Sequence, residues 1–401
     1  MELKKIHISD IGKVVTGKTP RTSIVENYGG DIPFLTPSDD LSYKSVPKTG
    51  KTLTEQGLNE VKNCLLPPHS VCVSCIGTDL GKVVMTSEPT ITNQQFNSII
   101  PNRRFDADFV YYLMTLVGKE LNYLSKTSTA VPIINKSSFS NYEVEVPDLE
   151  TQEKIASILS SLDSKIELNR RINDNLEQQA QALFKSWFVD FEPFRGGEFV
   201  DSELGLIPKG WRVVSLGEVT KQITEKVGNR EDVTVLSPIN SGELVLSEEY
   251  FTKQVFSKDL SKYLIVNPLS FAYNPARINI GSIGLNTFDF VGCVSPVYVV
   301  FECEPNYQYF FDFFKRTAMF KDEVALRAIG GVRQSLGYND LSLIKTIYPT
   351  SDVVVEFNNL YLKMKEVMIK NTDQNEKFIS LRDSLLPKLM SGELKINEFN
   401  C

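Results

Sequence analysis

The residues with the sharpest chemical promise lie near the start of the chain. Gly12-Lys-Val-Val-Thr-Gly17-Lys18-Thr19 satisfies the phosphate-cradling pattern G-x-x-x-x-G-K-[ST]. That pattern works only between a strand and a helix. Here Pro20 follows at once, and Arg21 to Gly30 carry no helical apolar period, so the match reads as coincidence. Cys72-Val-Ser-Cys75 is the one close pair among six cysteines. His69 is near it, but a fourth ligand at zinc spacing is missing, so reduced thiols are the plain reading. There are only two histidines, His7 and His69. No G-x-S-x-G, H-E-x-x-H or dinucleotide glycine motif appears in strand–helix context.

Asn274-Pro-Ala-Arg277 shares its first two residues with the Asn-Pro-Pro-aromatic signature of amino-methyltransferases. It lacks the second proline and the stacking aromatic, and no cofactor-binding glycine loop accompanies it. The chain therefore reads as catalytically empty. What remains are polar loops that mix cations with amides and hydroxyls: Asn102-Arg103-Arg104, Lys126-Thr127-Ser128-Thr129, Asn274-Pro-Ala-Arg277-Ile-Asn279 and Gly331-Val-Arg333-Gln334-Ser335. Arginine binds guanine edges bidentately, and Asn or Gln binds adenine. Taken one at a time, each loop reads more readily as a solvated turn.

Charge argues the other way. Lys plus Arg number 43 against 50 Asp plus Glu, a net charge of −7, whereas phosphate binding needs cationic surface. No segment is a basic tail. Any DNA affinity must come from a basic face on an acidic body, or from partner subunits. The 42% hydrophobic and 23% charged composition is that of a globular chain. The N-terminus has no apolar core of a signal peptide, and no apolar run approaches ~18 residues. A cytoplasmic protein outside the membrane is expected.

The elements that would hold these loops come in duplicate. Ile8 to Val14 and Val213 to Val219 both read apolar–x–x–apolar–Gly–charge–Val. Pro147 matches Pro349, and Asn169 matches Asn371, each 202 positions on. We read two tandem halves, each a mixed α/β (α+β) globular domain followed by a long helix. Short β-rich runs are expected at Ser70–Cys75, Lys82–Met85 and Gly292–Phe301, and shorter helices at Phe105–Leu124 and Tyr307–Leu326.

In the first long helix a heptad seam runs through Ile155, Leu159, Leu162 and Ile166, then Leu176, Ala180, Leu183 and Trp187, with Asn169 and Asn173 at its middle. In the second it runs through Phe357, Leu360, Met364 and Val367, then Phe378, Leu381 and Leu385, with Asn371 and Gln374 between. Pro387 and Gly392 are expected to stop this helix. Antiparallel pairing into a coiled-coil-like rod would set amide against amide, fixing register at some cost in stability. Two separate amphipathic helices, each packed on its own domain, are the alternative.

These residues resemble the specificity (S) subunits of type I restriction–modification systems. Glu203-Leu-Gly-Leu-Ile-Pro-Lys-Gly-Trp211-Arg-Val-Val-Ser-Leu-Gly-Glu218 is similar to the opening of a target-recognition domain, as is Ile11-Gly-Lys-Val-Val-Thr-Gly17-Lys-Thr-Pro20. Gln152-Glu-Lys-Ile155 through Asn169, with Ala182-Leu-Phe-Lys-Ser-Trp187-Phe188, resembles the central conserved region. Arg382-Asp-Ser-Leu-Leu-Pro387-Lys-Leu-Met-Ser-Gly392-Glu-Leu resembles the distal one. The second half lacks a counterpart of Gln152. The resemblance implies target-recognition domains at 1–149 and 193–348 (with a linker at 193–210), a central conserved helix at 150–192, and a distal conserved helix with the tail at 349–401. It implies a non-catalytic subunit in a pseudo-twofold repeat. Two antiparallel helices would hold apart the domains that read a bipartite duplex DNA target.

The implied partners are double-stranded DNA, two methyltransferase subunits and, for restriction, motor-nuclease subunits. S-adenosylmethionine, ATP and magnesium would reside on those partners. From Ile155 to Trp187 is 33 residues, roughly 50 Å of helix, long enough to separate half-sites that are about 34–36 Å apart per duplex turn. The residues expected to touch DNA are Lys126, Thr127, Arg277, Asn279, Arg333 and Gln334. A helical-rod adaptor without DNA reading, and a fused methyltransferase or nuclease, are the competing functions.

Overall fold

The computed structural model describes residues 2–77, 79–126, 133–251, 256–327 and 335–394, with side chains from 124 to 126 left aside. The chain divides into two compact units, 1–172 with 369–401, and 173–368. Both long helices, Leu149–Phe188 (central) and Ser351–Ser391 (distal), contribute residues to each unit.

In the first unit a four-stranded antiparallel sheet runs in the order Gly12–Thr16, Phe96–Pro101, Val71–Ser74, Val83–Met85. The strand Val71–Ser74 is buried at every residue. Cys72 faces a cluster with Leu66, Val84 and Phe96, while Val71, Val73 and Cys75 face the helix Ala107–Lys126. A sheet covered on both faces needs a continuous apolar run rather than an alternating one, and Ser70–Cys75 reads that way. A smaller sheet orders Thr52–Leu53, Tyr28–Leu35, Ile91–Thr92, the last pair parallel. A ribbon joins Lys4–His7 to Glu143–Val146, handing the chain through Pro147 to the central helix.

The second unit repeats this plan. Its four-stranded sheet runs Thr220–Ile223, Val299–Cys303, Phe271–Tyr273, Ile283–Leu285, and its second sheet again contains an antiparallel and a parallel neighbour of one strand, Thr234–Pro238. The ribbon is Arg212–Ser215 with Lys345–Tyr348. Two expected elements are broken. Gly292–Phe301 splits into Gly292–Val294 and Val299–Cys303, which enter different sheets. The helix expected over Tyr307–Leu326 splits into Gln308–Phe314 and Ala318–Arg327, because Thr317 Oγ1 accepts the amide of Phe320 (3.3 Å) and starts a new helix.

The first repeat match is corrected by three positions. After each ribbon comes one helical turn, Ile8–Ile11 and Leu216–Val219, each closed by a capping box, His7 with Asp10 and Ser215 with Glu218. Ile8 N–H donates to Tyr142 O (3.0 Å), and Leu216 N–H donates to Ile344 O (2.8 Å). Ile8 therefore corresponds to Leu216, and Gly12 is not the counterpart of Gly217.

The two long helices pair antiparallel within each unit. In the first, Asn375 Nδ2 donates to Ile166 O (3.3 Å), and Asn169 Nδ2 donates to Asn375 Oδ1 (3.0 Å) and Gln374 Oε1 (3.3 Å). In the second, Asn173 Nδ2 donates to Met368 O (3.1 Å). Asn173 and Asn375 are 202 positions apart, as are Ile166 and Met368, so one bond recurs with the helices exchanged. On the central helix Leu159, Leu162 and Ile166 are buried. Leu176 and Leu183 are only half-buried, and Phe184 and Phe188 fill the core instead of Leu183 and Trp187. The buried stripe drifts there because 3.6 residues per turn outrun a strict 3.5 repeat.

The distal seam expected from sequence is wrong at alternate positions. Leu360, Val367 and Leu381 are 37%, 43% and 46% exposed, and Gln374 is exposed too. The covered row is Val354, Phe357, Tyr361, Met364, Met368, Asn371, Asn375, Phe378 and Arg382, continuing to Leu385, Leu386 and Leu389. The helix also passes through Pro387, held by buried Leu386, Leu389 and Met390, and ends only at Gly392, where φ is +76°.

Candidate nucleic-acid interface

The false phosphate loop fails by its own hydrogen bonds. Gly12–Thr16 is a strand, and the amides of Gly17 and Lys18 already donate to Phe96 O (3.1 Å) and Thr92 O (2.9 Å). They cannot cradle a phosphate. The thiol pair is equally closed: Cys72 and Cys75 face different clusters, and burial pushes the Cys72 thiol up to about 12. Burial likewise pushes Cys293 up to about 11, far from a thiolate nucleophile.

Each unit does present one loop in the same topological place. Residues 75–82 join Val71–Ser74 to Val83–Met85, and residues 274–282 join Phe271–Tyr273 to Ile283–Leu285. Both loops turn on a glycine with positive φ, Gly81 (+87°) and Gly281 (+93°). A Cβ on Gly81 would lie 2.1 Å from Gly118 O, and one on Gly281 would lie 2.6 Å from Asn240 O, so only glycine fits. The first loop is tied to the adjacent helix by Asn122 Nδ2, which donates to Leu80 O (2.7 Å).

The chain then returns to the same loop in each unit. Ile134 N–H donates to Cys75 O (3.0 Å), and Leu336 N–H donates to Pro275 O (3.1 Å). In the second unit this sets Leu336 against the loop that carries Arg277 and Asn279, both exposed. Arg333 and Gln334 immediately precede that return in sequence, but lie outside the described residues. In the first unit Lys126 is the last residue of the helix Ala107–Lys126, and Thr127 lies outside the described residues.

The Asn274 motif has a structural explanation. Arg277 N–H donates to Asn274 O (2.9 Å), and Asn274 Oδ1 accepts Ala276 N–H (3.0 Å). Asn-Pro is simply the start of a side-chain-capped turn. Arg277, at the end of that turn, is exposed. Asn102-Arg103-Arg104 belongs elsewhere, at the far end of the strand Phe96–Pro101. There Asn102 binds Ile11 O and Asp10 O through its backbone and side-chain nitrogens, a structural role.

A second polar locus was invisible in the sequence. In the first unit Lys44 contacts Asp108 (2.5 Å) and Ser160 Oγ (3.1 Å), Tyr112 donates to Asp163, and Arg382 Nη1 donates to Asp163 Oδ1 (2.8 Å). The guanidinium of Arg170 stacks on Tyr43, 4.2 Å from the ring centre. These residues lie up to some 340 positions apart, and only the fold gathers them.

Among the described residues, no helix is long and apolar enough to cross a membrane, and no cluster of three metal-binding side chains exists. Residues 1–178 match the family described as type I restriction modification DNA specificity domain. Over 99% of its length the chain is 29% identical to the MjaIX type I restriction enzyme specificity subunit of Methanocaldococcus jannaschii, covering 94% of that protein. It is 37% identical to the HindI specificity subunit of Haemophilus influenzae over 42% of this chain and 38% of that one. The crystal structure of a type I restriction–modification S subunit from M. genitalium shares the fold, with a TM-score of 0.53 at 14% identity over 97% of this chain and 96% of that one. The first 178 residues thus match the type I restriction modification DNA specificity domain, and nearly the whole chain is similar to a type I restriction enzyme specificity subunit.

Proposed function

We propose that residues 1–149 and 193–348 each read one half of a bipartite duplex DNA target in the major groove, at the poles where Ile134 meets the loop after Ser74 and Leu336 meets the loop after Tyr273. The observation that carries this reading is the duplication of one loop pole on one strand order, with Arg277 and Asn279 exposed at the second copy. Arg277, Asn279, Arg333 and Gln334 contact one half-site, and Lys126 and Thr127 the other; phosphate contacts fix the register while base edges give the sequence. The helices at 150–192 and 349–401 dock two methyltransferase subunits, which carry S-adenosylmethionine. Motor-nuclease subunits with ATP and magnesium complete the restriction complex. The local repeat of the Asn173 and Asn375 bonds suits two identical partners on an asymmetric target.

Arg277→Ala is expected to cost about 1–3 kcal/mol of discrimination at one base pair of the second half-site, leaving the first half-site untouched. Methylation rates across a panel of duplexes varied at each half-site would measure this. Equal loss at both half-sites, or no change at either, contradicts the assignment.

A further inference from the structure

In the first unit an open cleft of about 750 Å³ lies between the segment Ser42–Pro47 and the paired helices. Lys44, Arg170, Arg171 and Arg382 converge on it, with Asp163, Glu167 and five serines among its lining. Three of the cations are committed: Lys44 to Asp108, Arg171 to Glu167 (2.8 Å), and Arg382 to Asp163 and Asp383. Arg170 is different. It makes no hydrogen bond or ion pair among the described residues, and is held only by its stack on Tyr43. Stacking fixes the plane of a guanidinium while leaving its N–H fork open to an oxyanion.

The second repeat does not keep this arrangement. At the positions 202 residues on, Arg170 and Arg171 are replaced by Thr372 and Asp373, and Asp163 by Lys365. The cleft is thus a departure from the repeat, in a chain whose net charge of −7 leaves few places for an anion. An arginine fork beside several hydroxyls is a donor set matched to phosphate.

Resting on the DNA-reading function above, we propose that Arg170 in the cleft between Ser42–Pro47 and the central helix binds one backbone phosphate of the target duplex, positioning the DNA without reading its sequence. A phosphate contact weakens binding equally across sequences and reduces the salt slope by about 0.9 per phosphate.

The test uses the complex with methyltransferase subunits, titrated with a target duplex and a scrambled duplex over a range of salt. Arg170→Ala is expected to weaken both duplexes alike, on the order of tenfold, and to lower the log–log salt slope by about 0.9. Arg170→Lys, which keeps the charge, should restore the slope. An unchanged slope in Arg170→Ala overturns the proposal, as does loss confined to the target duplex. Failure of that variant to assemble with methyltransferase subunits, where wild type assembles, assigns Arg170 to a protein interface and also overturns it. Binding of ATP or inorganic phosphate that is lost in Arg170→Ala, with DNA binding unaltered, identifies a small-anion site instead. If the wild-type complex does not prefer its target over the scrambled duplex, the DNA-reading function fails. If that preference stands and the slope does not move, only the role of Arg170 fails.

Discussion

Asp312→Ala is expected to destabilise the second unit by about 3–5 kcal/mol, because it strips the counter-ion from a buried lysine. The Lys315 side chain is 2% exposed, and its ammonium sits 2.7 Å from Asp312. It also donates to the carbonyls of Gly242 (2.5 Å) and Ile283 (3.0 Å), pinning the break between two helices to the sheet. Burial pulls the Lys315 pKa down, and Asp312 pushes it back up. Without the carboxylate, the ammonium must lose its proton or stay charged in a dry core, and either course costs stability. Lys315→Met is expected to cost less, since Asp312 keeps its bond to Arg316 (2.8 Å). The readout is selective: the chain has two tryptophans, Trp187 and Trp211, and both lie in the second unit. Urea unfolding followed by tryptophan fluorescence therefore reports that unit. A midpoint for Asp312→Ala equal to or above that of Lys315→Met contradicts this account of the pair.

The second large effect decides the register of the distal helix. Phe357 is fully buried, with the rings of Phe184, Phe188, Phe313 and Tyr361 centred 5.8, 5.2, 5.5 and 6.2 Å away. Phe357→Ala is expected to cost about 3–5 kcal/mol, from lost burial and the cavity left behind. Leu360→Ala, at a position the heptad reading also selected, is expected to stay within about 0.5 kcal/mol. Comparable losses for the two would restore Leu360 to the seam. The same fluorescence midpoints measure both.

That contrast shows where the sequence was legible. After Phe357 both the third and the fourth residue, Leu360 and Tyr361, are apolar, so periodicity alone allows two rows. The asparagines carried the deciding signal. Asn169 and Asn173 are four apart, and their counterparts 202 positions on are Asn371 and Asn375, not Gln374. Following that spacing selects Tyr361, Met368 and Arg382, the row that is covered. The first repeat match failed for a related reason: it was anchored on glycines, whereas the capping pairs His7–Asp10 and Ser215–Glu218 mark the equivalent turns.

The duplicated architecture was readable because proline and asparagine positions persist at one offset. Asn102–Arg104 and Asn274–Arg277 were readable as turns. The approach of Leu336 to Pro275 across 60 intervening residues was not. The gathering of Arg170, Tyr43, Lys44 and Arg382 has no linear trace at all. It needs the antiparallel pairing of the helices and their packing against the segment at 42–47. With a net charge of −7, the proposed DNA reading requires a few placed cations, and partner subunits to supply the non-specific grip.

The most direct test of the account is a genome-wide map of methylated adenines in cells with and without this gene. The account predicts a bipartite motif, two short specific blocks around a spacer, that is present with the gene and absent after its deletion. An unchanged methylation map in a host whose methyltransferase subunits are active would contradict it.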